Sequence, residues 1–428
     1  MADIVIMGAG LGGVVMAYEM KDQMRPEDTL TVVTKDPIYH FVPSNPWVAV
    51  NWRTRESVEV DLAPTFARRG INFKPVPVEK LDPEANALTL ADGSTLKYDY
   101  LIIATGPELA FDEIEGLGPH GGFTSSICHV DHAEKAAVSF EEFCKKPGPI
   151  IVGAVQGASC FGPAYEFTFI LDTELRRRKI RDQVPMTFVT AEPYVGHLGL
   201  DGVGDTKGLL ESALRERHIK WMTSSRVKKV EAGKMTVEEV ADDGSVKATQ
   251  DMPFGFSMML PAFRGIAPLR GIEGLVNPRG FVIVDKHQQN PKFTNIFSVG
   301  VCVAIPPMGP TPVACGVPKT GFMIESMVTA TAKNLGNILR GKAPNYQGTW
   351  NAVCLADFGD TGIAFVAQPQ IPPRNVNWSA QGKWVHAAKI GFEKYFLRKM
   401  RRGESEPFYE TAALNMLGIG KLKTVKTD

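Results

Sequence analysis

Cysteine is scarce and scattered: Cys128, Cys144, Cys160, Cys302, Cys315 and Cys354 contain no CxxC pair. That excludes the usual zinc spacings and gives no disulfide scaffold of the secreted kind, so no metal site is expected. Long apolar runs are missing too, with no window near the roughly 18 residues that a spanning helix needs. No basic n-region leads into an apolar block at the start, so no signal peptide is expected. Excess charge of either sign is absent, since 47 Lys plus Arg balance 47 Asp plus Glu, and nothing argues for nucleic acid. Solenoid repeats and low-complexity linkers are absent as well. What remains is a chain of 428 residues, 44% hydrophobic, with 41 Gly and 30 Pro. This is the composition of a loop-rich α/β enzyme of two or three domains.

The chain opens with an apolar strand, Asp3 to Met7, that runs into Gly8-Ala9-Gly10-Leu11-Gly12-Gly13 and then a helical segment. This is GxGxxG in its confirming strand–turn–helix context. Gly8 serves the tight turn, Gly10 admits a pyrophosphate to the backbone, and Gly13 lets helix and strand close up. The acidic residue expected at the end of the next strand is displaced: Thr34-Lys35 stand there and Asp36 follows. Ribose contact is therefore expected through backbone or Thr34. A buried strand later ends in Ala104-Thr105-Gly106, and "NIFSVG" closes at Gly300. These two marks resemble the flavoproteins built on two dinucleotide-binding domains, except that Val301 stands where most of them carry Asp. Lys319 and Gly321 open a later helix, without the glycine spacing of a P-loop.

A second strand–turn–helix begins at Ile150 but decays into Gly153-Ala154-Val155-Gln156-Gly157-Ala158. Val155 is expected to obstruct a pyrophosphate, so this unit keeps the fold and loses the nucleotide. Cys160 follows, three residues before Pro163, a residue favoured at a first helical position. A helix N-terminus there is expected to stabilise a thiolate. The tail carries seven Lys or Arg between Lys383 and Arg402 against one acid, Glu393. Trp384, Val385, Ala388, Phe392, Tyr395 and Phe396 fall on one helical face. A second stripe comprises Phe408, Tyr409, Ala412, Ala413, Met416 and Leu417. Such helices suit an anionic membrane surface or a docked pair covering the core, and amphipathicity alone does not choose.

With these marks in order, the chain resembles the sulfide:quinone oxidoreductases of the bacterial membrane-bound type. "FVPSNPWVAV", "ATGPELAF", "ICHVDHAE", "GASCFGPAYE", "EPYVGHLG", "GTWNAVCLADFGD" and "SEPFYE" carry the likeness nearly end to end. The resemblance implies an α/β fold with two Rossmann-like domains, the second degenerate, plus a C-terminal amphipathic region. Its expected parts are 1–112 and 287–373 for FAD, 113–286 for the second domain, and 374–428 for membrane and quinone. It implies redox cysteines at Cys128, Cys160 and Cys354, the last two holding a sulfur bridge beside the flavin. His132, His197 and Glu166 are implied near that site. The cofactor is expected to be FAD, held by the first glycine turn from Gly8 to Gly13, Thr34, Lys35, Thr105, Gly106, Gly300, Val301, Lys319, Gly321 and Lys389. Phe392 and Tyr409 are implied around a quinone, ubiquinone or menaquinone, and Leu355 stands where relatives carry an aromatic. On this resemblance the tail is taken as a monotopic anchor at the bacterial inner membrane. Hydrogen sulfide, quinone and lipid are the expected partners, with a homo-oligomer possible. The rival readings are a type II NADH:quinone oxidoreductase, a flavocytochrome c sulfide dehydrogenase subunit, and a non-catalytic flavin or sulfur carrier.

Overall fold

The computed structural model describes residues 1–407, 410, 411, 414 and 418–423. Two parallel sheets organise it. In the first, β1 (Asp3–Met7) lies between β2 (Thr29–Val33) and β4 (Tyr100–Ile103); β3 (Asn72–Lys74) and β9 (Ile296–Ser298) flank them, giving the order β9-β4-β1-β2-β3. All four pairings are parallel, with Met7 opposite Val33 on one side and Ile103 on the other. Such strands are covered on both faces and read as apolar runs, as DIVIM and YLII do. Helix α1 (Leu11–Gln23) and helix α5 (Gly321–Ile338) pack together over this sheet. They approach closely where a Cβ on Gly12 would stand 3.3 Å from Ile324 Cγ2.

The second sheet has the order β7-β6-β5-β8 and is also parallel: β5 (Ile150–Ala154), β6 (Met186–Thr190), β7 (Ile219–Met222) and β8 (Phe256–Leu260). Helix α2 (Val130–Lys145) packs on β8, and α3 (Gly162–Arg177) crosses from β5 with Pro163 in its first turn. α3 is buried without a break from Ala164 to Leu175 because it has neighbours on two sides. One is the second sheet. The other is β10 (Ala352–Asp357), first strand of an antiparallel sheet with β11 (Gly362–Gln368) and β12 (Val376–Gln381).

Helix α6 (Lys383–Arg402) docks on β10 and β11. The stripe expected to form one face is divided: Val385 and Phe396 are buried, whereas Trp384 and Phe392 are 49% and 40% exposed. The docked line is instead Val385, Lys389, Glu393, Phe396 and Met400, the i, i+4 and i+3 steps of a helix. Two of the seven basic residues, Lys389 and Lys399, point inward. Lys399 is 1% exposed and lies 2.9 Å from Glu325 of α5. Glu410 is 3.2 Å from it, and Lys421 adds contacts of 3.1 Å to Glu325, Glu406 and Glu410. Burial alone would expel these charges; mutual pairing keeps them. The second stripe (Phe408, Tyr409, Ala412, Ala413, Met416, Leu417) lies outside the described residues.

Removing one member of a buried ion cluster strands its partners. Lys399→Met is therefore expected to lower stability by roughly 3 kcal/mol in urea unfolding. Lys145→Met, whose partner Glu142 is exposed, is expected to change it by less than about 0.5 kcal/mol. Equal midpoints for both variants would show that the cluster contributes nothing.

Candidate active site

The carboxyl ends of β9, β4 and β1 end in three turns that open side by side. Gly8 has φ +108° and its N–H donates to Val33 O at 2.8 Å, which turns the chain back over the sheet. A Cβ on Gly13 would stand 1.9 Å from Gly8 O, so only glycine fits there. Gly10 and Gly106 face open space, with nothing within 4 Å of an added Cβ, and Gly300 meets only Ile324 Cγ2 at 3.9 Å. The start of α1 has no side-chain cap, leaving its first N–H groups directed at that space. A long crevice at a switch point, floored by backbone and a helix N-terminus, is the shape and charge a dinucleotide requires. Ala9 and Leu11 line the same turn. Thr34 is half-buried and Lys35 exposed, while Asp36 is occupied by His40 at 3.0 Å, in keeping with its displaced position. Val301 is half-buried beside Gly300. Thr105 donates to Gly106 O at 3.1 Å.

Cys160 lies within electrostatic reach of two further cysteines, Cys128 and Cys354. Cys160 precedes α3, Cys354 sits on β10, and Cys128 precedes α2; all are free thiols and half-buried. The charge of Cys160 is felt at Cys354 and that of Cys128 at Cys160. The alternation of β10 turns Cys354 toward Leu200, Val203 and Phe365 while Val353 faces outward. Burial pushes Cys160 up to about 12, with the charges of Cys128 and Glu166 adding and Lys319 opposing. Cys354 is held at about 12 and Cys128 at about 11, again chiefly by burial. The expectation of a helix-stabilised thiolate at Cys160 is thereby overturned. Desolvation, with the charges of Cys128 and Glu166 added, outweighs the helix terminus there. Cys302 and Cys315 are buried in the core and Cys144 is half-buried.

Charged and aromatic groups close the other sides. Lys389 of α6 reaches Glu166 of α3 at 2.5 Å, both nearly sealed from solvent. Burial raises Glu166 to about 7 against the pull of Lys389, and the charge of Asp357 adds to the rise. Lys389 also lies 5.8 Å from the Trp47 ring, whose N–H donates to Asp357 at 2.8 Å. His386 contacts the same carboxylate at 2.7 Å. Trp47, Asp357 and His386 escaped sequence reading because their roles arise only when α6 docks. Lys319 is lowered to about 8 by burial, with Cys302 and Cys160 opposing. Gly321 abuts Leu11, 3.6 Å from an added Cβ. Phe392 stands on Phe41 and Phe396 at ring separations of 5.8 and 5.5 Å. Leu355 is half-buried, and Tyr409 lies outside the described residues.

His132 is buried in the first turn of α2, and burial lowers it to about 4. His197 is buried in the loop after β6; its Nδ1 accepts the Gly199 N–H at 3.1 Å, and burial lowers its pKa. Its polar contact is thus local, within its own loop.

The second glycine turn is filled by the chain itself. Gly157 N–H donates to Ala314 O at 2.7 Å and Gly316 N–H to Ala158 O at 2.8 Å. Val155 does not obstruct the turn as expected, because its side chain points into a core with Val189, Val227 and Met259. Gln156 is spent on Val227, through bonds of 2.9 and 3.0 Å.

A flavin crevice, a filled second turn and converging thiols define an oxidoreductase of the two-dinucleotide-fold class. The family model described as pyridine nucleotide-disulphide oxidoreductase matches residues 2–332. The chain is 41% identical over 415 residues to the sulfide-quinone reductase of Aquifex aeolicus, covering 96% of this chain and 94% of that one. The mitochondrial sulfide:quinone oxidoreductase of Dictyostelium discoideum is 26% identical over 353 residues, 80% of this chain and 72% of that one. The X-ray structure of the Aquifex aeolicus enzyme superposes with a TM-score of 0.94 at 40% identity, covering 100% of this chain and 98% of that one. The chain belongs, within the pyridine nucleotide-disulphide oxidoreductases, to the sulfide:quinone oxidoreductase family. Its cofactor is FAD, which the first crevice fits.

Two glycines separate folding from cofactor binding. Gly13→Ala drives a methyl into the Gly8 carbonyl and is expected to cost roughly 3 kcal/mol of stability. Gly10→Ala meets no protein atom, so unfolding should be unchanged while FAD affinity falls about tenfold or more by fluorescence titration. Normal FAD binding by Gly10→Ala would place the pyrophosphate elsewhere.

Proposed function

We propose that the chain oxidises hydrogen sulfide and delivers two electrons to a membrane quinone, with Cys160 and Cys354 holding the bridge that sulfide attacks. The observation that carries this is the coincidence of a filled second turn with three thiols gathered around Cys160. A nicotinamide nucleotide needs the turn's N–H groups free, and that of Gly157 is committed to Ala314 O while that of Ala158 turns back to Val155 O. Electrons then enter by sulfur.

Hydrosulfide attacks one sulfur of the oxidised bridge; an S–S bond breaks, a cysteine persulfide forms and the other cysteine leaves as thiolate. Reclosure of the bridge with one more sulfur releases two electrons. FAD, when bound, takes up that pair and yields it to quinone. With the cysteines held at about 12, the departing sulfur is a poor leaving group unless it is protonated as the S–S bond breaks. Lys319, lowered to about 8 and sensing Cys160, is the nearby cation suited to supply a proton or its charge. Lys389 and Glu166 supply a buried proton-bearing pair on the side of Phe392, where a quinone ring would lie against Phe41 and Phe396. Cys128 assists sulfur entry or release, and His197 acts on the loop beside the site.

For the membrane we infer a surface-bound attitude. No helix among the described residues is long and apolar enough to cross. The outer face of the three-stranded sheet carries a cross-strand row of Val353, Val366 and Trp378. Trp378 and Trp384 are 46% and 49% exposed, and Lys383, Lys394, Arg398, Arg401 and Arg402 are exposed nearby along the tail helix. Indole rings with flanking cations match a headgroup boundary.

Anaerobic sulfide is expected to bleach the bound flavin, NADH is not, and a soluble quinone should restore the colour. Bleaching by NADH with no response to sulfide overturns the proposal. Cys160→Ala and Cys354→Ala should keep FAD and lose sulfide-dependent quinone reduction by at least about a thousandfold, as covalent catalysis demands. The double variant Trp378→Ser/Trp384→Ser should sediment with anionic vesicles about tenfold less tightly, the effect of removing roughly 1.4 kcal/mol of apolar burial. Unchanged sedimentation would show that this face does not meet lipid.

A further inference from the structure

The loop between β11 and β12, residues 369–375, grips two walls of the space around Cys354. Gln370 is fully buried there. Its side-chain nitrogen donates to Pro318 O at 2.5 Å and its side-chain oxygen accepts the Thr320 hydroxyl at 2.8 Å, so it brackets Lys319 on the strap that leads into α5. Its own N–H donates to Trp350 O at 2.8 Å, just before β10. Arg374 Nε donates to Gln370 O at 3.0 Å, and its two terminal nitrogens donate to Gly202 O at 2.6 Å and Leu200 O at 2.5 Å. The guanidinium is thus spent on main-chain carbonyls, and a planar fork used in this way fixes backbone.

The loop that Arg374 reaches carries His197 and is strained. Leu198 and Asp201 both stand at φ +59°, a left-handed conformation unfavourable for residues with a Cβ. Glu192 secures its near end, accepting the Leu198 N–H at 2.6 Å. β12 secures its far end, where Asn377 and Ser379 accept the N–H groups of Gly204 and Asp205 at 2.7 and 2.8 Å. The carbonyls between are those Arg374 holds. Leu200 and Val203 of this loop share one buried cluster with Val317 of the strap and with Ala352 and Ala367 of the sheet, and Cys354 packs against it.

We propose that Arg374, with Gln370, is a positioning residue of the sulfur site: the two hold the His197 loop and the Lys319 strap as a cover over Cys354 that excludes reagents bulkier than hydrosulfide. Without the fork, Leu200 O and Gly202 O turn to water and the strained loop is free to lift. Water then reaches the thiol, so access and thiolate fraction rise together. The inference rests on the reading in which Cys354 carries sulfur, and deepens it, since a persulfide there lasts longer where larger nucleophiles are kept away.

The test needs neither sulfide nor quinone. The reduced holoenzyme is treated at mildly alkaline pH with iodoacetamide or with the bulkier fluorescein maleimide, and alkylation of each cysteine is followed by peptide mass spectrometry. Arg374→Ala is expected to speed Cys354 alkylation by about tenfold or more, with the larger gain for the maleimide. Cys144 and Cys302, which belong to other clusters, should keep their rates. Millimolar guanidinium should restore protection in Arg374→Ala, and Arg374→Lys, which offers one ammonium in place of the fork, should fall between. Gln370→Met should expose Cys354 as well, by freeing the strap. Arg374 is only half-buried, so its variant decides the matter even if Gln370→Met loses FAD. Cys354 alkylation in Arg374→Ala within twofold of the unaltered chain, or an equal rise at Cys144 and Cys302, overturns the cover. Either result leaves the sulfide and NADH bleaching experiment to stand or fall separately.

Discussion

Two backbone hydrogen bonds, Gly157 to Ala314 and Gly316 to Ala158, set the chemistry of the molecule. They engage one N–H and one carbonyl of the turn that a second nucleotide would approach. Gly316 must come so close that a Cβ there would stand 2.6 Å from Ser159 Cβ. From that point the chain continues through Lys319 to Gly321, beside Leu11 of the first glycine turn. Five residues cover at most about 18 Å. A single short strap therefore closes the second site and ties the neighbourhood of Cys160 to the flavin crevice.

The C-terminal helix shows a different kind of economy. Its buried residues include two cations and one acid, where a simple core would have placed leucine. Lys389 meets Glu166, Lys399 meets Glu325, and Glu393 meets Arg53 at 2.9 Å and Ser44 at 2.5 Å. Such pairs add little net stability over apolar packing, but each tolerates only one register. A helix held that way fixes where Phe392 stands against Phe41, and leaves Trp384 outward. Position, rather than adhesion, is what the buried charges secure.

The first sheet was legible because its signals are local. DIVIM, the glycine turn and YLIIATG each state strand, turn and burial within a few residues, and α1 and α5 begin and end where glycine and apolar period indicate. The span of α6 was legible as well. Its inward face was not, because a stripe of aromatics looks apolar in sequence, while the docked line is chosen by distant carboxylates such as Glu166 and Glu325. Val155 was read correctly as a break in the pattern and wrongly as a plug, since alternation at the strand end sends its side chain into the core.

The acidity of Cys160 was the other miss, and magnitudes explain it. A helix terminus stabilises a neighbouring anion by at most about 2 kcal/mol. Holding a thiol at about 12 rather than 9 corresponds to about 4 kcal/mol against the thiolate, so burial wins. The consequence is chemical. Protein thiols that stay protonated near neutrality are poor attackers, whereas hydrogen sulfide ionises near neutrality and is small enough to enter. Exchange is fastest for an attacking thiol whose pKa is close to ambient pH. In the proposed reaction the burial of the cysteines assigns attack to the substrate and leaves the protein sulfurs as the group attacked, so that removal or supply of protons at those sulfurs falls to the residues around them.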